Sequence, residues 1–110
     1  MGIESIPEGR LAIEFSKLIV NGQYQDALNY LSSEAQAEWS SEDLKNHYTE
    51  MVEYFEAEEP KIIEEYTMIA FSDANGKIIY VPIGGEGESE AIIVGVNNQS
   101  KIFSIEFGRP

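Results

Sequence analysis

Residues 77–96 read KIIYVPIGGEGESEAIIVGV, two aliphatic runs joined by an acidic, glycine-rich segment. Most positions in each run are β-branched or aromatic, a composition typical of strands. The stretch therefore predicts strands over Lys77–Ile83 and Ala91–Val96, with a loop over residues 84–88 between them. Pro82 predicts an edge position or a bulge, because proline cannot donate a ladder hydrogen bond.

Turn signals flank this pair of strands on both sides. Residues 72–76 read SDANG and end in the Asn-Gly dipeptide that favours a β-hairpin, so Ile62–Phe71 is predicted to be a long strand before it. Residues 97–100 read NNQS and predict a turn into a last strand over Lys101–Phe107. Because short turns make neighbouring strands antiparallel, the sequence predicts a four-stranded antiparallel meander.

Before Pro60 the apolar spacing changes from two residues to 3.6, which indicates helices. Pro7 can open the first helix and Gly22 can end it, while Ser33 is predicted to start a short turn that reaches Trp39. The apolar stripes of the three predicted helices are Leu11, Phe15, Leu18 and Ile19; Tyr24, Ala27, Leu28 and Leu31; and Leu44, Tyr48, Met51, Val52 and Phe55. Three helices before four strands predict a single α+β domain over residues 1–110.

Composition narrows the classes of partner and chemistry. Twenty acidic and seven basic residues give a net charge of −13, which argues against a nucleic-acid partner. With no cysteine, disulfide scaffolds, zinc–thiolate sites and thiol nucleophiles are excluded. The apolar runs are far shorter than the roughly 20 residues of a membrane span, and no signal-peptide layout opens the chain, so no membrane partner and a cytoplasmic location are expected.

A longer pattern runs through the predicted helices. It reads Ala12-x-x-Phe15-x-x-Leu18-x-x-x-Gly22-x-Tyr24-x-x-Ala27-x-x-x-Leu31, then Trp39, then Leu44-x-x-x-Tyr48. This pattern resembles the opening of nuclear transport factor 2-like domains, and among them the small members of unassigned function. The resemblance implies a cystatin-like α+β cone, in which three helices pack on a curved four-stranded antiparallel sheet. Because that superfamily contains isomerases, cyclases, dehydratases and transport factors, the fold leaves the function open.

Candidate site residues come mainly from aromatic side chains and the one histidine. His47 lies at the margin of its helix's apolar face, with Asp43 four residues before it and Glu50 three after. A histidine–carboxylate pair can act in general acid–base catalysis, but ordinary helix-surface pairing is the interpretation we favour. The candidate pocket-lining residues between helices and sheet are Tyr30, Trp39, His47, Tyr48, Tyr54 and Tyr66.

The acids of the predicted strand region do not match the isomerase site of the family that the chain resembles. That site pairs a carboxylate base with hydrogen-bond donors in an apolar cavity. The acids present are Glu64, Glu65, Glu90 and Glu106. Neither the base nor a donating tyrosine matches residue by residue, so no catalytic residue is assigned, and no cofactor or metal motif is predicted.

Three functions stay open. The favoured hypothesis is a non-catalytic small binding or protein-interaction domain, with a small apolar ligand or a protein as partner. The second is a small isomerase-, cyclase- or dehydratase-type enzyme with a cavity between helices and sheet. The third is an acidic inhibitor or immunity-like protein that covers a basic partner. Residues 1–60 carry 13 acidic and 3 basic residues, hence −10, against 7 and 4, hence −3, in residues 61–110.

The predicted strands are apolar on both faces, although three helices can cover only one. Ile78, Tyr80 and Ile93 fall on the face away from the helices, which predicts a homodimer through this outer sheet face. The resemblance implies the same pairing, since nuclear transport factor 2-like domains often pair through it. The alternative is that sheet curvature covers more of both faces. In the last strand, Phe103 is predicted to share the inner face with Ile105 and Phe107.

Overall fold

The computed structural model describes residues 6–54, 60–84 and 89–108, without the side chains of Tyr54 and Ser89. Within these ranges the chain is α+β, with four α-helices followed by a five-stranded antiparallel sheet. None of the helices in this part of the chain combines the length and apolar character needed to span a membrane.

The helical half has one helix more than the sequence predicts. The helices are α1 (Pro7–Val20), α2 (Tyr24–Ala27, continued by a 3₁₀ turn at Leu28–Tyr30), α3 (Ser33–Glu38) and α4 (Ser41–Tyr54). The segment predicted as a short turn is α3, because the Ser32 hydroxyl accepts a hydrogen bond from the Ala35 N–H at 3.2 Å and caps a full helix start. At the other predicted boundary, Gly22 ends α1 as expected, with φ +78°.

The sheet half has one strand more than predicted. Its strands are β1 (Lys61–Ile62), β2 (Met68–Asp73), β3 (Gly76–Gly84), β4 (Ser89–Asn97) and β5 (Ile102–Gly108). Both β1 and β2 pair with β3, which pairs with β4, and β4 pairs with β5. The first predicted strand, residues 62–71, is thus interrupted by a 3₁₀ turn at Glu64–Tyr66.

Pro82 gives the physical reason for this interruption. β1 pairs with residues 83–84 of β3 and β2 pairs with residues 76–80, so the gap falls beside Pro82. The Pro82 carbonyl accepts a hydrogen bond from the Ile63 N–H at 2.9 Å, but Pro82 has no N–H to return along that edge. Proline therefore stands inside the sheet, where its missing donor breaks the neighbouring strand.

The hydrophobic core lies between the helices and one face of the sheet, here called the inner face. Phe15, Ile19 and Leu44 of the helices pack with the buried aliphatic residues of the strands, Ile79, Val81, Ile83, Ile92, Val94, Val96, Ile102 and Ile105. The predicted phases of β3 and β4 are confirmed, since their odd-numbered and even-numbered aliphatic residues respectively face the helices. Lys77 of β3 donates a hydrogen bond at 3.2 Å to Glu8 at the start of α1.

Candidate functional site

The sheet surface opposite the helices, here called the outer face, carries two rows of side chains. Directly opposed residues in an antiparallel pair point to the same face. The first row runs across four strands through Met68, Tyr80, Ile93 and Glu106, and the second through Phe71, Ile78, Gly95 and Ser104. The three residues predicted to form a dimer face, Ile78, Tyr80 and Ile93, lie at the centre of these rows.

A β-bulge in β2 places Phe71 on the outer face. Met68 opposes Tyr80 and Ile69 opposes Ile79, but Phe71, not Ala70, opposes Ile78. Strict alternation from Met68 would have turned Phe71 toward the helices. The extra residue at position 70 reverses the alternation, and Phe71 is 57% exposed.

A second bulge, in β5, does the same for Phe103. Gly95 opposes Ser104 while Val96 opposes Ile102, which leaves Phe103 as the extra residue. The prediction that Phe103 shares the inner face with Ile105 is therefore wrong. Ile102 is fully buried in its place, and Phe103 is 40% exposed with its ring beside Gly95 on the outer face.

Together these side chains form an apolar patch, defined by Met68, Phe71, Ile78, Tyr80, Ile93 and Phe103. Met68 is 55% exposed, and the central Ile78, Tyr80 and Ile93 are half-buried by their neighbours. The carboxylate of Glu106 ends the first row. Contiguous apolar surface of this kind marks an interaction site more often than scattered exposed residues do.

Two of the candidate pocket residues come together on the helical side. The Trp39 and His47 rings meet edge to face with centroids 5.2 Å apart, and Phe107 of β5 stacks on His47 at 6.0 Å. Sequence reasoning placed Phe107 on the inner face without connecting it to this cluster. The helical and sheet periods each predict a face, but not which helix a given strand residue contacts.

The other candidate pocket residues have different surroundings. Tyr30 contacts Phe15, with ring centroids 6.5 Å apart, and Tyr66 is 68% exposed on its 3₁₀ turn. Tyr48 is buried, and its hydroxyl has no hydrogen-bond partner in the part of the chain that the structure describes. Burial, together with the nearby Tyr24 phenol, raises the pKa of Tyr48 to about 12. The prediction for Tyr54 falls on a side chain outside the described ones.

The candidate acids do not converge either. Glu64 and Glu65 are exposed on the 3₁₀ turn, and Glu106 lies on the outer face. Glu90 opposes Ile83 and is only 3% exposed, so its carboxylate lies on the inner side of the sheet. Among the described residues, no three histidine, aspartate or glutamate side chains are grouped as metal ligands.

A cavity of about 370 Å³ lies between the C-terminal end of α1 and β1. Its lining includes Lys17 and Glu64, whose ammonium and carboxylate are 3.3 Å apart and about half exposed. A surface pair of this kind contributes at most about 1 kcal/mol to stability. None of the candidate pocket residues lines this cavity.

Comparison of the chain with protein-family models, with curated proteins and with solved structures finds no match. The likeness to nuclear transport factor 2-like domains therefore rests on the helical sequence pattern and stays a prediction.

Proposed function

We propose that this chain is a non-catalytic protein-interaction domain of the cytoplasm, built as a small nuclear transport factor 2-like cone. It acts as a homodimer, with the outer face as the interface between the two copies. The observation that supports this proposal is the apolar patch on the sheet face opposite the described helices.

The energetics of the apolar patch favour an occupant. The exposed parts of Met68, Phe71 and Phe103, 55%, 57% and 40% of each residue, amount to roughly 300 Å² of mostly apolar surface. At about 25 cal/mol per Å², removing that area from water gains roughly 7 kcal/mol before the costs of association. A specific dimer buries roughly 800 Å² per partner, so the patch would supply the apolar centre and the surrounding strand residues the polar rim.

The distribution of charge favours a second copy as that occupant. Residues 1–60, which include the four described α-helices, carry −10 of the net −13. Because the helices lie on the inner side of the sheet, pairing through the outer face keeps the two acidic helical layers on opposite sides of the dimer. Pairing through the helices would bring them together and cost repulsion that salt screens only in part.

The mass of the particle in solution tests this proposal. Light scattering on a sizing column should give twice the 12.3 kDa chain mass at micromolar concentration. Ile93→Lys, at the centre of the apolar patch, should give a folded monomer. The matched control Ala37→Lys adds the same charge at an exposed position of α3 and should leave the dimer intact. A 12.3 kDa particle for the unmodified chain would refute the homodimer.

The two alternatives have less support. For an enzyme, the candidate residues would have to converge on a cavity, whereas Trp39 and His47 meet Phe107, Tyr30 contacts Phe15, and Tyr66 is exposed on its 3₁₀ turn. For an acidic inhibitor, the support is the negative charge of the helical half. The two ion pairs within the described residues, Lys17–Glu64 and Lys77–Glu8, include no acid of α4, so the α4 carboxylates would be available to a basic partner. Salt-sensitive co-purification with a basic protein would favour that function.

A further inference from the structure

We propose that Asn21 is a site of spontaneous modification, at which the chain cyclises and the side-chain carboxamide becomes a carboxylate. The proposal does not depend on the homodimer. It rests on a comparison within the chain, because the dipeptide Asn-Gly occurs twice, at residues 21–22 and 75–76. The structure leaves the first dipeptide accessible and holds the second in place.

The reaction needs only the peptide and water. The Gly22 nitrogen loses its proton and attacks Asn21 Cγ. An N–Cγ bond forms, the Cγ–Nδ2 bond breaks, and the side-chain nitrogen takes up the proton and leaves as ammonia. Water then opens the cyclic imide at either of its ring C–N bonds, which gives aspartate or gives isoaspartate, whose main chain runs through Cβ. Glycine in the second position favours the attack because it has no Cβ to hinder the approach of its nitrogen.

Asn21 and Gly22 lie in the exposed turn that ends α1. A Cβ atom on Gly22 would meet nothing within 4 Å. The ψ angle of Asn21 is 2°, which places the Gly22 nitrogen away from Cβ, so the ring closes after rotation about this bond. The rotation breaks the hydrogen bonds from the Gly22 N–H to the Ile19 carbonyl and from the Gln23 N–H to the Leu18 carbonyl. Both bonds belong to the end of a helix, which opens more readily than a packed interior.

The second dipeptide is held by the sheet. Gly76 is buried and pairs with Asp73 of β2 on one side and with Asn97 of β4 on the other. Its N–H donates to Asp73 Oδ1 at 3.2 Å, and the Asn75 N–H donates to the same oxygen at 2.8 Å. A Cβ atom on Gly76 would overlap the Val96 carbonyl oxygen, so the backbone has little room to turn. Ring closure at Asn75 therefore requires the ends of two strand pairings to open first.

Charge acts in the same direction as this geometry. The attacking nitrogen must be deprotonated, and a neighbouring carboxylate disfavours that anion, whereas an ammonium favours it. At the second dipeptide the neighbour is the Asp73 carboxylate. Asn21 lines the cavity beside α1 together with Lys17, Lys61 and Glu64, so the charged side chains described there are two cations and one anion. Geometry and charge both favour reaction at Asn21.

The modification changes the charge and the backbone at the end of α1. A carboxylate at residue 21 adds negative charge where the helix already presents unpaired carbonyl oxygens, which is unfavourable. Isoaspartate also adds a carbon atom to the main chain between the two N–H groups that close the helix. The modified chain should therefore have a lower Tm. The new carboxylate lines the same cavity as Lys17 and competes with Glu64 for its ammonium.

Peptide mapping of the folded chain tests the site. The protein is kept in mildly alkaline buffer at body temperature, and mass spectrometry follows aspartate and isoaspartate at residues 21 and 75 over several weeks. Residue 21 should convert several-fold faster than residue 75. In guanidinium chloride the two dipeptides should convert at similar rates, because the fold no longer distinguishes them. Equal rates in the folded chain, faster conversion at residue 75, or no conversion at residue 21 would overturn the proposal.

Two variants serve as controls. Asn21→Gln keeps a carboxamide but has to close a larger ring, so product at residue 21 should disappear. Asp73→Ala removes the carboxylate that holds Gly76 and should raise the rate at residue 75 several-fold, with circular dichroism confirming that the variant is folded. An unchanged rate at residue 75 would contradict the protective role of Asp73.

The effect on α1 is measured on the modified chains themselves. Anion exchange separates them from the unmodified chain because they carry one more negative charge. Their Tm should be lower at the same protein concentration, and an equal Tm would show that the end of α1 tolerates the change.

Discussion

Gly95 is a crowded position on the outer face, and its replacement by alanine has a calculable cost. A Cβ atom there would overlap the Ser104 hydroxyl and lie 2.9 Å from Phe103 Cζ and 3.1 Å from Ile78 Cδ1. Overpacking of this kind costs about 1–3 kcal/mol. The loss of glycine's backbone freedom in the unfolded chain returns about 0.5–1 kcal/mol. Gly95→Ala should therefore lower the free energy of unfolding by about 1–2 kcal/mol.

This loss is large enough to measure in a chain of 110 residues. At about 2.1 cal/mol/K per residue, the unfolding entropy is roughly 230 cal/mol/K, so Tm should fall by about 4–9 °C. Melts must be run at one protein concentration, because any self-association would shift Tm by mass action.

A double-mutant cycle attributes the loss of Tm to the crowded contact. Ser104→Ala removes the closest atom, so adding Gly95→Ala in that background should cost less than half as much, a coupling of about 1 kcal/mol. An unchanged Tm for Gly95→Ala, or an equal loss in both backgrounds, would show that the outer face is not packed as described.

Three further predictions concern the helical layer. Leu44→Ala should lower the free energy of unfolding by about 2–5 kcal/mol, because Leu44 is fully buried. Glu53 is exposed on the same helix, so Glu53→Ala should change the free energy of unfolding by no more than about 0.5 kcal/mol. Equal losses for the two variants in urea melts would contradict the orientation of α4. A backbone hydrogen bond at residue 8 lowers the pKa of Glu8 below 4.5; burial opposes this shift and Lys77 adds to it. The carboxylate therefore stabilises the fold above pH 4.5. The unmodified chain should be more stable than Glu8→Gln by about 1 kcal/mol, and this difference should vanish as the pH falls through the folded-state pKa of Glu8. A stability difference that persists in acid would refute this prediction. Tyr48→Phe removes a buried hydroxyl without a described partner, so the free energy of unfolding should change by less than about 1 kcal/mol. In an alkaline absorbance titration, the variant should lack the tyrosine whose pKa is raised to about 12. A large destabilisation would mean that the hydroxyl is hydrogen-bonded.

Much of the architecture could be predicted from the period of the apolar residues. Phe15 and Ile19 on α1, like Leu44 on α4, are in the core where the helical period places them. The inner faces of β3 and β4 are likewise as expected. In these segments a continuous ladder or helix keeps the local period over its whole length, so the pattern predicts the orientation of each residue.

The departures occur where a single residue interrupts the period. Pro82 lacks the backbone N–H that would bond the neighbouring strand, so the interruption appears between β1 and β2, about 15–20 residues earlier in the sequence. The bulges at Ala70 and Phe103 reverse the alternation on strands whose side-chain sequence is otherwise compatible with a regular ladder. For this reason regular alternation predicts neither that Met68 and Phe71 share the outer face nor that Phe103 lies on it.

The candidate sites divide in the same way. Ile78, Tyr80 and Ile93 follow from alternation within one hairpin, whereas the meeting of Trp39, His47 and Phe107 depends on how helices and sheet are brought together. Contacts between segments distant in sequence are set by packing of the whole domain, which no local period encodes.

The two bulges have a consequence for the edges of the sheet. They fall on β2 and β5, the strands that leave an edge of the sheet without a full neighbour. A regular edge strand offers a template on which further chains can add without limit, and a bulge spoils that template by leaving one residue out of step. Bulges on β2 and β5 therefore hinder the addition of further strands along the hydrogen-bonding direction. If the proposed homodimer forms, a sheet built in this way would favour an assembly of two chains over an open-ended fibre.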